Sequence, residues 1–149
     1  MGDAAVRSTD QDALLSRHSA VTLGYLQDPF LPHFLTSAQR RVPERRPPLI
    51  NLGTHARTYV IDTLVRSFIS GHEAPKQIVS FGAGSDTRFW RFRDEARRDG
   101  RDWNTHWTEI DFPELTAKKA RAVLSKPDLK ELLGDNAQVC QSTIGAADA

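Results

Sequence analysis

Apolar positions recur along the chain first at helical spacing and then in short clustered runs. Behind the capping residues Thr9 and Asp10, with Asp12 in the first turn, Leu14, Val21 and Tyr25 form a helical stripe that Asp28-Pro29 stops. Residues 1–8 are small and polar without periodicity and are expected to be disordered. Pro32 opens a second helix through Phe34, Leu35 and Ala38 to Arg40. Next comes RRVPERRPP, with four Arg, one Glu and three Pro in nine residues, so residues 40–50 read as an extended, solvated linker rather than a binding patch. After Asn51, Gly53 and Thr54, the positions Val60, Ile61, Leu64, Val65, Phe68 and Ile69 predict a helix with one continuous buried face, ended by Gly71.

The period then changes. Gln77 to Phe81 is short and mostly apolar or β-branched, which predicts a strand buried on both faces. It runs into Gly82-Ala83-Gly84-Ser85-Asp86-Thr87, and a helix carrying Phe89, Trp90 and Phe92 follows. His106 to Asp111 predicts a second strand, and Pro113 opens a helix over Glu114 to Lys126 with Leu115, Val123 and Leu124 on its apolar side. A short helix from Asp128 closes at Gly134, and Ala137 to Cys140 reads as a third strand. Strand, helix, strand, helix argues for an α/β fold with a parallel sheet and right-handed crossovers. The expected organisation is residues 9–75 as leading helices and residues 76–149 as part of a cofactor-binding domain.

Composition narrows the function. Of 149 residues, 39% are hydrophobic and 26% charged, as in a soluble globular protein. Twenty Lys and Arg against nineteen Asp and Glu leave +1, far from the excess with which a nucleic-acid binder displaces counterions, so no nucleic-acid partner is expected. No run approaches the roughly 20 apolar residues of a membrane span, and Met1 to Arg7 lacks the apolar core of a secretion signal; the expected location is the cytosol, with no membrane partner. The single cysteine, Cys140, excludes an internal disulfide and makes a structural zinc site unexpected.

A glycine turn after a buried strand lets backbone N–H groups approach a ligand, and the helix behind it adds partial positive charge. A dinucleotide fingerprint would place a third glycine where Thr87 stands, and no Gly-Lys-Ser/Thr of a P-loop follows. The turn therefore suits a nucleoside cofactor without a pyrophosphate. Asp111, at the end of the next strand, stands where doubly wound sheets place the acid that accepts from ribose hydroxyls; it is also placed to cap the helix begun by Pro113. Two arginines fall on apolar stripes: Arg57 with Ile61, Leu64 and Phe68, and Arg17 between Leu14 and Val21. Each either finds a carboxylate partner or extends its head to water.

Four segments carry a family resemblance: DALLSRHSAVTLGYLQDPF at Asp12 to Phe30, RPPLINLGTHART at Arg46 to Thr58, IVSFGAGSDTRFW at Ile78 to Trp90, and EIDFPELTAKKA at Glu109 to Ala120. Together they resemble the S-adenosylmethionine-dependent leucine carboxyl methyltransferases, which methylate the C-terminal leucine carboxylate of the protein phosphatase 2A catalytic subunit. The resemblance implies leading helices followed by the first half of a Rossmann-like methyltransferase sheet. It implies that the turn at Gly82 and Gly84 underlies the methionine part of the cofactor, that Asp111 holds the ribose and that Arg57 binds the cofactor's carboxylate. Arg17 falls where the family carries a lysine, which keeps the charge and changes the head. A C-terminal carboxylate is ionised at pH 7 and needs no general base, so no catalytic side chain is expected and His18, His55 and His106 are given no role. The phosphatase tail is the expected partner, and the enzyme is expected to be a monomer.

The resemblance fades after Lys126. A complete methyltransferase sheet needs further strand-helix units beyond the second strand. The chain thus reads as the N-terminal portion of such an enzyme: a fragment, an alternative product or a gene model cut short. A second reading makes it a non-catalytic module with at most weak cofactor or partner binding. A third is the related carboxyl methyltransferase of wybutosine synthesis on transfer RNA, against which the near-neutral charge and the GTHART and EIDFP segments speak.

Overall fold

A computed structural model describes residues 3–71, 75–134 and 137–138. Helix α1 runs Asp3–Thr22. It begins six residues before the expected start at Thr9. No Gly or Pro interrupts the stretch from Asp3, and Ala4 and Ala5 are strong helix formers. The helix also ends earlier than Asp28: Gly24 takes φ +80°, and the Tyr25 N–H turns back to the Ala20 carbonyl at 2.8 Å, a left-handed C-terminal cap.

The second expected helix is two short pieces, a 3-10 turn over Leu31–Phe34 and α2 over Ser37–Arg41. Thr36 separates them by forming a capping box with Gln39. Residues 43–47 carry no regular structure, and α3 spans Pro48–Ser70 with proline in its first turn. Strand β1 is Lys76–Phe81, α4 is Arg88–Arg98, β2 is Thr105–Ile110, α5 is Pro113–Leu124 and α6 is Pro127–Glu131. The expected third strand over Ala137–Cys140 lies largely outside the described residues; Ala137 and Gln138 belong to no regular element.

The two strands pair in parallel, from Lys76 opposite Thr105 to Phe81 opposite Ile110, and α4 makes the crossover between them. This is an α/β arrangement consistent with the first half of a Rossmann-like fold. Trp107 of β2 meets Phe89 and Phe92 of α4, with ring centroids 6.1 and 6.4 Å apart. Trp90 is 3% exposed and donates its indole N–H to the Leu129 carbonyl at 3.1 Å, which ties α6 to α4. The main core joins Phe30 to Trp90, Val123, Leu129 and Leu132, so the loop after α1 is anchored among the helices around the sheet; a second cluster joins Leu14, Leu31 and Leu35.

Two burial expectations are overturned. On β1, Gln77, Val79 and Phe81 face outward, with Phe81 77% exposed, so the strand is not buried on both faces. The apolar stripe of α3 is also largely exposed, with Val60 at 54%, Leu64 at 66% and Phe68 at 50%. The helix instead buries Asn51, Thr58 and Asp62, whose spacing of seven and four is itself a helical face. The reason lies in what faces that side. Ser19 of α1 donates to the Asn51 side chain at 2.8 Å, Arg17 reaches Thr58, and Arg88 and Arg91 of α4 bind Asp62. Buried guanidinium groups require acceptors, and the polar face of α3 supplies them.

Candidate functional site

Arg17, Arg57, Gly82, Gly84 and Asp111 come from α1, α3, the β1–α4 turn and the end of β2, and all five line one open cleft of about 560 Å3. That volume lies in the range of small-molecule sites. The glycine turn is built as its spacing requires: Gly82 and Gly84 take φ +64° and +44°, a region costly for other residues. A Cβ at Gly84 would also collide with the carboxylate of Asp10, which lies against the turn.

The turn's N–H groups, however, have protein acceptors. Gly82 N–H donates to the Ile110 carbonyl at 2.8 Å, Gly84 N–H to the Asp111 carboxylate at 2.6 Å, Ser85 N–H to Asp10 at 2.7 Å and Asp86 N–H to the Ala83 carbonyl at 2.8 Å. Asp111 caps no helix in the usual sense: α5 begins after Phe112 without a side-chain cap. One Asp111 oxygen accepts from Phe112 N–H at 2.7 Å and the other from Gly84. It pins the turn to the end of β2 while facing the cleft.

The two arginines have different fates. Arg57 is exposed at the cleft wall and has no hydrogen-bond or ion-pair partner among the described residues. Arg17 is buried against Asp28, donating Nε at 2.6 Å, and donates Nη1 to Thr58 at 3.3 Å. Its Nη2 is buried without a partner, an arrangement that costs stability unless something accepts from it. The cleft thus carries one free guanidinium, that of Arg57, which suits a ligand that bears a carboxylate.

Below the turn lies an ion-pair network that sequence reasoning missed. Asp62 accepts from Arg88 Nε at 2.9 Å and from Arg91 Nη2 at 3.1 Å, and Arg88 also pairs with Asp86. Burial alone would raise the Asp62 carboxyl, but the hydrogen bonds and charges of Arg91 and Arg88 outweigh it and hold it below the usual range. Arg91 is held charged in the same way, its burial outweighed by Asp62 and then Asp28 and Asp86. Lys119 reaches under the turn to the Asp86 carbonyl at 2.8 Å and to Glu109 at 2.6 Å. Burial raises the Glu109 carboxyl more than Lys119 lowers it. In the sequence Asp28-Pro29 reads as a helix stop and Thr87 stands where a third glycine would be, and no local pattern marks either as part of a network.

The leucine carboxyl methyltransferase family model matches residues 5–131. The protein named Leucine carboxyl methyltransferase 1 in Cryptococcus neoformans var. neoformans serotype D is 46% identical over 141 residues, covering 89% of this chain and 38% of that relative. Its namesake in Mycosarcoma maydis is 41% identical over 155 residues, covering 92% of this chain and 29% of the relative. The Rattus norvegicus protein of the same name is 34% identical over 125 residues, covering 84% and 35%. The chain spans about a third of the length of these curated relatives. The matched residues contain the glycine turn, Arg17, Arg57 and Asp111, and by this match the chain belongs to the leucine carboxyl methyltransferase family.

Proposed function

We propose that the cleft is an S-adenosylmethionine site and that the chain forms the cofactor-binding part of a carboxyl O-methyltransferase. The acceptor in this reading is the C-terminal leucine carboxylate of the protein phosphatase 2A catalytic subunit, in the cytosol. One observation carries it: four separate segments bring Arg17, Arg57, Gly82, Gly84 and Asp111 to one cleft of about 560 Å3, with the Arg57 guanidinium unpaired among the described residues.

The bound cofactor would supply an electrophilic methyl group on its sulfonium sulfur. Arg57 would hold the cofactor's carboxylate, and Arg17 would add positive charge to the cleft wall. Asp111 would accept from the ribose with lone pairs left over from Gly84 and Phe112, and Gly82 and Gly84 allow close approach of the chain. The chain's residues bind and orient; no proton need be removed, because a C-terminal carboxylate is already ionised at neutral pH.

Calorimetry of the 149-residue chain with S-adenosylmethionine tests the reading. Binding by the wild type and an affinity lowered about tenfold by Arg57→Ala, with the thermal midpoint unchanged, are expected. A wild type that does not bind overturns the assignment of the cleft, and an unaffected Arg57→Ala affinity removes the arginine from it. The exposed faces of β1 and α3 favour a second reading for this chain by itself, that of a binder without turnover. Methylation of a phosphatase C-terminal peptide by the 149-residue chain would overturn that second reading.

A further inference from the structure

Asp28 is the most completely engaged carboxylate beside the cleft. Its side chain is fully buried. One oxygen accepts from Phe30 N–H at 3.2 Å and Leu31 N–H at 3.1 Å; the other accepts from Arg17 Nε at 2.6 Å and from the Thr87 hydroxyl at 2.6 Å. Thr87 is itself 0% exposed and stands directly before α4, at the end of the glycine turn. A carboxylate has about four acceptor positions, and all four are used here by groups from three parts of the chain. None of them touches the cleft through Asp28, which does not line it.

We infer that Asp28 is a positioning residue for the cofactor site. It clamps the Arg17 guanidinium of α1 and the far end of the glycine turn to one buried point, and so sets the distance between the two cleft walls. Arg17 has little freedom once Nε is fixed on Asp28 and Nη1 on Thr58, and the part of its side chain that lines the cleft is held in place with them. Thr87 explains the departure from the dinucleotide pattern: a glycine at that place would leave the second anchor of Asp28 missing. The inference rests on the reading of the cleft as an S-adenosylmethionine site.

The test is calorimetry with S-adenosylmethionine on the full chain, combined with thermal unfolding. Asp28→Asn is expected to weaken binding about tenfold, because the amide presents a donor where a donor already points. In an Arg17→Ala background the same substitution should weaken binding by a smaller factor, about two- to fivefold, since the guanidinium it positions is gone and only the anchor on Thr87 is left to lose. Equal losses in both backgrounds would make Asp28 merely structural and overturn the inference, as would an unchanged affinity in Asp28→Asn. If Asp28→Asn does not fold, Thr87→Val removes only the hydroxyl that feeds the same carboxylate. A loss of about two- to fivefold is then expected, and an unchanged affinity overturns the proposal. Failure of the wild type to bind would instead overturn the reading of the cleft, and the inference with it.

Discussion

At the scale of single residues, the chain spends charge where a hydrophobic count would not look for it. Asp62 lies on a helix rich in Val, Ile and Leu, yet its carboxylate is 9% exposed and serves two arginines whose side chains are 15% and 12% exposed. Removing one member of such a cluster leaves the others buried and uncompensated. Asp62→Asn is therefore expected to lower the unfolding free energy by roughly 3–5 kcal/mol, measured by urea denaturation. A loss below about 1 kcal/mol would mean that the network is solvated like a surface pair. Arg17 and Arg57 were legible beforehand because a cation on an apolar stripe is locally anomalous. Asp10, Asp28 and Thr87 were not, because their significance lies in partners 75, 11 and 59 positions away.

At the scale of elements, periodicity located helices and strands well and their faces less well. The spacing of Val60, Leu64 and Phe68 identified α3 as a helix, since any side chains that repeat near 3.6 share a side. Which side turns inward depends on what the neighbours offer, and here α1 and α4 offer arginines and Ser19 rather than an apolar surface. Leu64→Lys is thus expected to change stability by no more than about 0.5 kcal/mol and to reduce binding of a hydrophobic dye. A loss of about 2 kcal/mol or more in thermal melts would show that Leu64 is buried in solution. Helix ends differ from the expected ones for local reasons: Gly24 takes a left-handed φ that closes α1, and the Thr36–Gln39 capping box starts α2 afresh.

At the scale of the whole molecule, titrating groups pull stability in opposite directions. Burial lowers the His18 imidazole below its usual 6.5, so its contribution is complete above 6.5 and is lost as pH falls through the folded value. Asp62, held below its usual 3.8, likewise stabilises above 3.8 and fails in stronger acid. Glu109 is raised above 4.5, so its contribution is complete below 4.5 and is lost as pH rises through the folded value. Between pH 7.5 and 5.5 the wild type should therefore lose more stability than His18→Gln in thermal melts. Equal losses in the two proteins would remove His18 as the cause. No helix among the described residues is long and apolar enough to cross a membrane. The sequence by itself determined the succession of the longer helices and the two strands, the parallel α/β class, the place of the glycine turn and the family, because these follow from near-neighbour spacing and short contiguous motifs. Only the tertiary structure decided which face of α3 is buried, that Asp10 and Asp111 take up the turn's N–H groups, and that Asp28 ties Arg17 to Thr87. Those outcomes are set by charge compensation between segments far apart in the chain, where the low polarity of the interior makes each buried ion select its partner.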